Sequence, residues 1–265
     1  MNRFLYFSVI FFLLSCGREN RFPEPVSEKV SLDQVKIPGQ LGLSNRDSNL
    51  TFEENVGSGG YLRELNRFQE MYLSKDSNFN LKNFEKAWNE VAANMSHSRL
   101  NLNDAVLWFR ITGTLMQITG KAKYAEEMEN IVLNGFKTNT EDESKEIENL
   151  VASYIFTKNV DHVHINLFVP AELQYEHTLH GKVKIKQETN FPDSGDISVS
   201  FSMEKNRYIE VFVRIPSWAD GATVTVEGVK YTAPVGDYAF IAKKWHEGDE
   251  IKIHFPNKNQ NLAGL

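Results

Sequence analysis

The chain has 265 residues, 41% of them hydrophobic and 24% charged, which is enough apolar surface to bury a sizeable core and excludes a disordered chain. Its 29 basic and 35 acidic side chains leave a net charge of -6 with no dense Lys/Arg stripe, so the electrostatic footprint of a nucleic-acid binder is missing. The one cysteine, Cys16, excludes an intrachain disulfide and a cysteine-built metal cluster.

Residues 1–16 read as a secretory leader. Arg3 precedes an apolar run from Phe4 to Leu14 that is short for a bilayer span, and Ser15 and Cys16 follow. The ending "LLSC" resembles a bacterial lipobox, which implies cleavage before Cys16 and lipid attachment to it; an ordinary signal peptide with an incidental cysteine is the alternative. The lipobox places the chain on a membrane of the bacterial cell envelope and leaves the periplasmic or surface side open. Residues 17–60 are polar, with "RFPEPVSEK" and "NVGSGG" as breakers, and read as a tether.

A helical period governs residues 61–151. Leu62, Leu65, Phe68 and Tyr72 recur at three- and four-residue steps, and Phe84, Trp88, Val91 and Met95 repeat the pattern. "NDAVLWFRITGTLMQIT" predicts a third helix, capped by Asn103 or Asp104 and ended by Gly120. "KYAEEMENIVLNGF" predicts a fourth, stopped at Gly135, and "ESKEIENLVASY" a fifth. From about Ala152 the period drops to two. Short β-branched or aromatic runs such as "SYIFT", "HVHINLFV", "DISVSFSM" and "YIEVFVRI" alternate with turn residues such as Gly195, Gly221, Gly228 and Gly248. Alternation of Ile197, Val199, Phe201 and Met203 with polar residues marks a sheet with one wet face. The predicted class is α+β: a small helical region, an antiparallel β-sandwich over residues 152–257 and a tail at 258–265.

Three phrases in the strand-rich part occur in a fixed order: "HINLFVPAEL" (His164 to Leu173), "RIPSWADG" (Arg214 to Gly221) and "KKWHEGDEIKIHFP" (Lys243 to Pro256). Together they resemble the β-sandwich that follows the catalytic barrel in glycoside hydrolase family 127, the bacterial β-L-arabinofuranosidase-like enzymes. "LMQITGKAKYAEEMENIVLNGF" resembles the last helices of that family's (α/α) barrel, so the resemblance runs from about Asn101 to Pro256. It implies a scaffold role for "RIPSWADG", with Pro216 ending a strand and Trp218 covering a sheet face. Trp218 or Trp245 as a sugar-stacking platform is the functional alternative.

The same resemblance implies a zinc site made by one Glu and three cysteines, one of them the nucleophile. Its first pair falls on Asn101 and Asn103 and its second on about Asn139 and Thr140, none of which replaces a carboxylate or a thiolate. Glu85 lies near the place of the family's acid/base Glu but lacks its sequence context, and the helices are far fewer than a full barrel needs. No zinc or other cofactor is therefore expected. His162 and His164 share one side of a strand and could hold a metal, although a surface or packing role is the better reading. Glu172, Glu176 and Asp196 are loose candidates for a glycosidase carboxylate pair. The reading that follows is a lipid-anchored, shortened family-127-like protein of carbohydrate metabolism that is inactive or accessory. The alternatives are a module that binds a plant-type oligosaccharide or a partner protein, and an active glycosidase with a replaced site.

Overall fold

The computed structural model describes residues 22–39, 41, 44–45, 58–97 and 100–256. Cys16 and the tail at 258–265 lie outside these residues. Among the described residues no helix is long and apolar enough to cross a membrane.

The five expected helices form: α1 (Ser58–Leu73), α2 (Leu81–Ala92), α3 (Leu102–Thr119), α4 (Ala122–Asn134) and α5 (Glu141–Ile155). Helix α3 is the centre of the group, with Ala105, Trp108, Phe109, Ile111, Leu115, Met116 and Ile118 all buried, the pattern of a helix enclosed on most sides. Gly113 lets it approach its neighbours: a Cβ there would lie 2.7 Å from Tyr154 Cε1 and 3.2 Å from Met128 Cε. The cap of α3 is neither Asn103 nor Asp104. Asn101 accepts from the Asp104 amide, because the helix begins one residue ahead of Asn103 and needs its acceptor outside the first turn. Gly120 ends α3 in the left-handed region, as expected from "TGK". Thr140 and Glu143 form a reciprocal capping box on α5.

Helix α5 runs past the expected boundary at 151. Tyr154 and Ile155, read as part of a strand in "SYIFT", remain helical and buried, with the Tyr154 ring packed edge-on against Phe109 of α3. The strands then follow: β5 (Phe156–Asn159), β6 (His162–Ile165), β7 (Ala171–Glu176), β8 (Lys182–Thr189), β9 (Asp196–Met203), β10 (Arg207–Arg214), β11 (Thr223–Val226), β12 (Val229–Tyr231), β13 (Tyr238–Trp245) and β14 (Glu250–His254). Short pairs before them are β1 (Glu28–Lys29), β2 (Val35–Lys36), β3 (Ser44–Asn45) and, between α4 and α5, β4 (Lys137–Thr138).

Two sheets make the sandwich, in the orders β1-β5-β6-β10-β13 and β12-β11-β14-β9-β8-β7-β2. Pairing is antiparallel except between β6 and β10, where Phe212 lies opposite His164. The core between the sheets is closed by Trp245, wholly buried and stacked on Phe201 at 3.9 Å, its Nε1 donating to the Ile209 carbonyl. Part of the stretch read as a tether belongs to this body. β1 pairs with β5, β2 pairs with β7, and Val30 and Val35 are buried, so two aliphatic anchors in a polar segment carry it onto the edge of each sheet. The Val26 amide also donates to the Gln117 carbonyl of α3.

Candidate functional site

The "RIPSWADG" phrase begins on the last residue of β10 and sits where the sandwich meets α4. Arg214 is fully buried, and its Nη2 lies 2.6 Å from Glu129 Oε1. The separation makes an ion pair, whereas the N–H directions of Nη1 and Nη2 reach no hydrogen-bond acceptor. Coulomb attraction between buried charges follows separation more than angle, so the two groups form an ion pair. Arg214 Nε donates to the Asn166 carbonyl at 2.6 Å, and the guanidinium lies 4.7 Å from the centre of the Phe168 ring. Glu129 Oε1 also accepts from the Phe168 amide at 3.2 Å.

Around this pair runs a chain of buried polar groups. Tyr238 donates its hydroxyl proton to Asn166 Oδ1 at 2.7 Å, Asn166 Nδ2 donates to Thr157 Oγ1 at 3.0 Å, and Ser27 donates to the same hydroxyl. Three residues beyond Arg214, the Ser217 amide and hydroxyl both donate to Glu126, at 3.1 and 2.7 Å. Glu126 and Glu129 are one helical step apart on α4 and so present both carboxylates to one loop. The phrase is a latch between helices and sandwich. Sequence reading assigned it a scaffold role but missed Glu126 and Glu129, whose only signal was their spacing on a predicted helix.

Two of the positions assigned by resemblance to zinc ligands, Asn101 and Thr140, are committed as helix caps. Asn101 spends its amide oxygen on the α3 cap and its Nδ2 on Asp104. Thr140 caps α5, and the Asn139 amide donates to Glu143. A side-chain amide and a hydroxyl that serve as helix caps do not fit zinc, which takes thiolate, imidazole or carboxylate. Among the described residues no group of three or more His, Cys, Asp or Glu could hold a metal ion.

Other candidates separate in the same way. Glu85 accepts from the Tyr124 hydroxyl and from Lys121; burial raises its pKa, but these hydrogen bonds outweigh it and hold the carboxyl below its usual range. His162 pairs with Glu210 at 2.9 Å on the surface, while His164 is buried and stacked on Phe212 at 4.4 Å. Burial, with His162 adding to it, pushes the His164 imidazole down to about 4. Glu172 pairs with Lys184 and Glu176 accepts from the Gly181 amide. These two acids lie four residues apart on β7, about 13 Å, and Asp196 stands two strands away, roughly 16 Å from Glu172 by strand spacing. Glycosidase pairs sit at about 5–9.5 Å, so none of these combinations meets that geometry.

Trp245 offers no ring face, being enclosed in the core, which removes it as a stacking platform. Trp218 is partly buried, stacked 6.2 Å from Phe191 and edge-on to Phe255. Two concavities flank Pro38 and Pro170. One, of ≈ 970 Å³, covers the polar outer face of the seven-stranded sheet around Lys186, Ser198 and His254. The other, of ≈ 320 Å³, lies at the helix–sandwich junction beside Leu41, Glu129 and Phe168.

Comparison with known proteins places this geometry. Residues 162–257 match the family model described as beta-L-arabinofuranosidase, GH127 middle domain. A solved GH127 beta-arabinofuranosidase superposes with TM-score 0.60 at 20% identity, covering 74% of this chain and 42% of that one. A second solved structure, a glycoside hydrolase, gives 0.50 at 22% identity over 58% of this chain and 32% of that one. At these identities both show the shared fold alone. A GH127 beta-L-arabinofuranosidase from Geobacillus stearothermophilus T6 matches at 26% identity over 61% of this chain and 33% of that one; its TM-score is 0.47, and no argument rests on it. No curated protein matches the chain. The chain thus spans about a third to two fifths of these solved enzymes. Over residues 162–257 the chain is homologous to the middle domain of the GH127 β-L-arabinofuranosidase family.

Proposed function

We propose that this chain is a non-catalytic, accessory member of a carbohydrate-processing system, held at the bacterial cell envelope by a lipid on Cys16. Support comes from the place where the family's zinc ligands fall. Asn101 and Thr140 serve there as helix caps, and the chain has no cysteine after Cys16. The latch made by Glu126, Glu129, Arg214 and Ser217 instead supports a role in which helices and sandwich act as one binding or assembly body.

The test is glycosidase activity of the full chain on aryl and disaccharide arabinofuranosides, with and without added zinc. No sugar release from a folded sample is expected. Release that a point substitution in the folded region abolishes would overturn the proposal.

A further inference from the structure

The outer faces of the two sheets differ in kind. That of the seven-stranded sheet is an ordinary solvated face, laced with ion pairs such as Lys184–Glu172, Lys186–Glu188 and His254–Asp196. That of the five-stranded sheet carries rings. Cross-strand register sets His164 on β6, Phe212 on β10 and Phe240 on β13 in one row. His164 and Phe212 stack at 4.4 Å with their planes 9° apart, and Phe212 lies 5.1 Å from Phe240. Phe240 remains 49% exposed, and Tyr208 on the same face 54%.

One pleat away runs a second registered row, His162, Glu210 and Ala242. Here Glu210 accepts from, or pairs with, His162 at 2.9 Å, and the small Ala242 leaves the floor low between Glu210 and Phe240. Strand β13 is the last of its sheet, so this face opens at an edge.

We propose that this face binds a neutral glycan, with one sugar ring lying on Phe240 and its hydroxyls bonded to Glu210 and His162, while Tyr208, roughly 14 Å away by strand spacing, meets a later sugar of the same glycan. Rings with exposed faces suit the C–H face of a sugar, and an acceptor-donor pair beside them suits vicinal hydroxyls. Charge points the same way. Outside the buried Arg214, this face of β10 and β13 carries one acid, Glu210, and one lysine, Lys244, opposite Tyr208, which sum to no net charge and favour an uncharged ligand over a phosphate or an acidic peptide. This inference rests on the carbohydrate reading above and supplies its binding surface.

The experiment is affinity electrophoresis of the full chain through gels containing soluble arabinan, arabinoxylan or dextran, with sedimentation of the same samples. Retardation by arabinan or arabinoxylan is expected, at least ten-fold weaker in Phe240→Thr and Glu210→Gln and unchanged in Lys252→Ala on the opposite sheet. No retardation in any gel, or retardation that both variants keep, would overturn the proposal. A dimer that Phe240→Thr dissociates would overturn it too, by making a second copy the occupant. Reducing sugar released from the arabinan would instead sink the accessory reading and leave the platform standing, so the two failures are distinguishable.

Discussion

Removing Glu129 tests the latch at its most enclosed point. In Glu129→Ala the fully buried Arg214 loses its counter-charge and keeps only the Asn166 carbonyl and the Phe168 ring, while the Phe168 amide loses its acceptor. An unpaired buried charge costs about 3–5 kcal/mol, against the roughly 5–15 kcal/mol that stabilises an ordinary domain. Glu126→Ala removes only the exposed contacts to Ser217, and about 1 kcal/mol or less is expected. Urea unfolding followed by circular dichroism measures both. The double change Glu129→Leu with Arg214→Met should recover most of the loss, since apolar residues need no partner. Equal, small effects of Glu129→Ala and Glu126→Ala would refute the claim that the buried pair fastens helices to sandwich.

Further expectations concern titration, packing, capping and the anchor. The neutral form of His164 is favoured by folding, its pKa falling from the usual 6.5 to about 4, so its contribution is full above pH 6.5 and is lost as pH falls through that window. The shift corresponds to at most about 3 kcal/mol, and His164→Phe should flatten the acid limb of the stability–pH curve between pH 6.5 and 4. Glu85, held low by Lys121 and Tyr124, contributes stability that is lost only at lower pH, below its ordinary range. Gly113→Ala drives a methyl into the Tyr154 ring and should cost about 1–3 kcal/mol in thermal or urea unfolding, despite the better helix propensity of Ala. Thr140→Ala removes the α5 capping box and should cost about 0.5–2 kcal/mol. Cys16→Ala should move the chain from the membrane fraction to the soluble fraction if Cys16 carries the lipid.

Periodicity alone revealed much of the architecture. The change from helical to alternating spacing located five helices and the sandwich because each element buries one regular face. Two features broke that logic. Tyr154 and Ile155 look like strand residues, yet they finish a helix, and the partners of Tyr154, Phe109 and Gly113, belong to α3, which local pattern does not see. The segment around Val30 and Val35 reads as tether because only two residues in it are anchors, and the sheet edges that receive them come from strands more than a hundred residues away. Site residues were legible chiefly as losses. Asn101 and Thr140 could be read as unable to bind zinc from chemistry alone, but their capping duty required the helix starts. Trp218 and Trp245 drew attention as large aromatics, whereas the exposed rings of the sandwich strands are Phe240 and Tyr208, distinguished only by which side of a strand faces out.

We propose that this chain carries a GH127-like fold without glycosidase chemistry. The most direct measurement is arabinose release from synthetic arabinofuranosides by the folded full chain, with zinc added and with zinc chelated. The account predicts none under either condition. Release that depends on zinc, or that Glu85→Gln or Glu172→Gln abolishes, would contradict it.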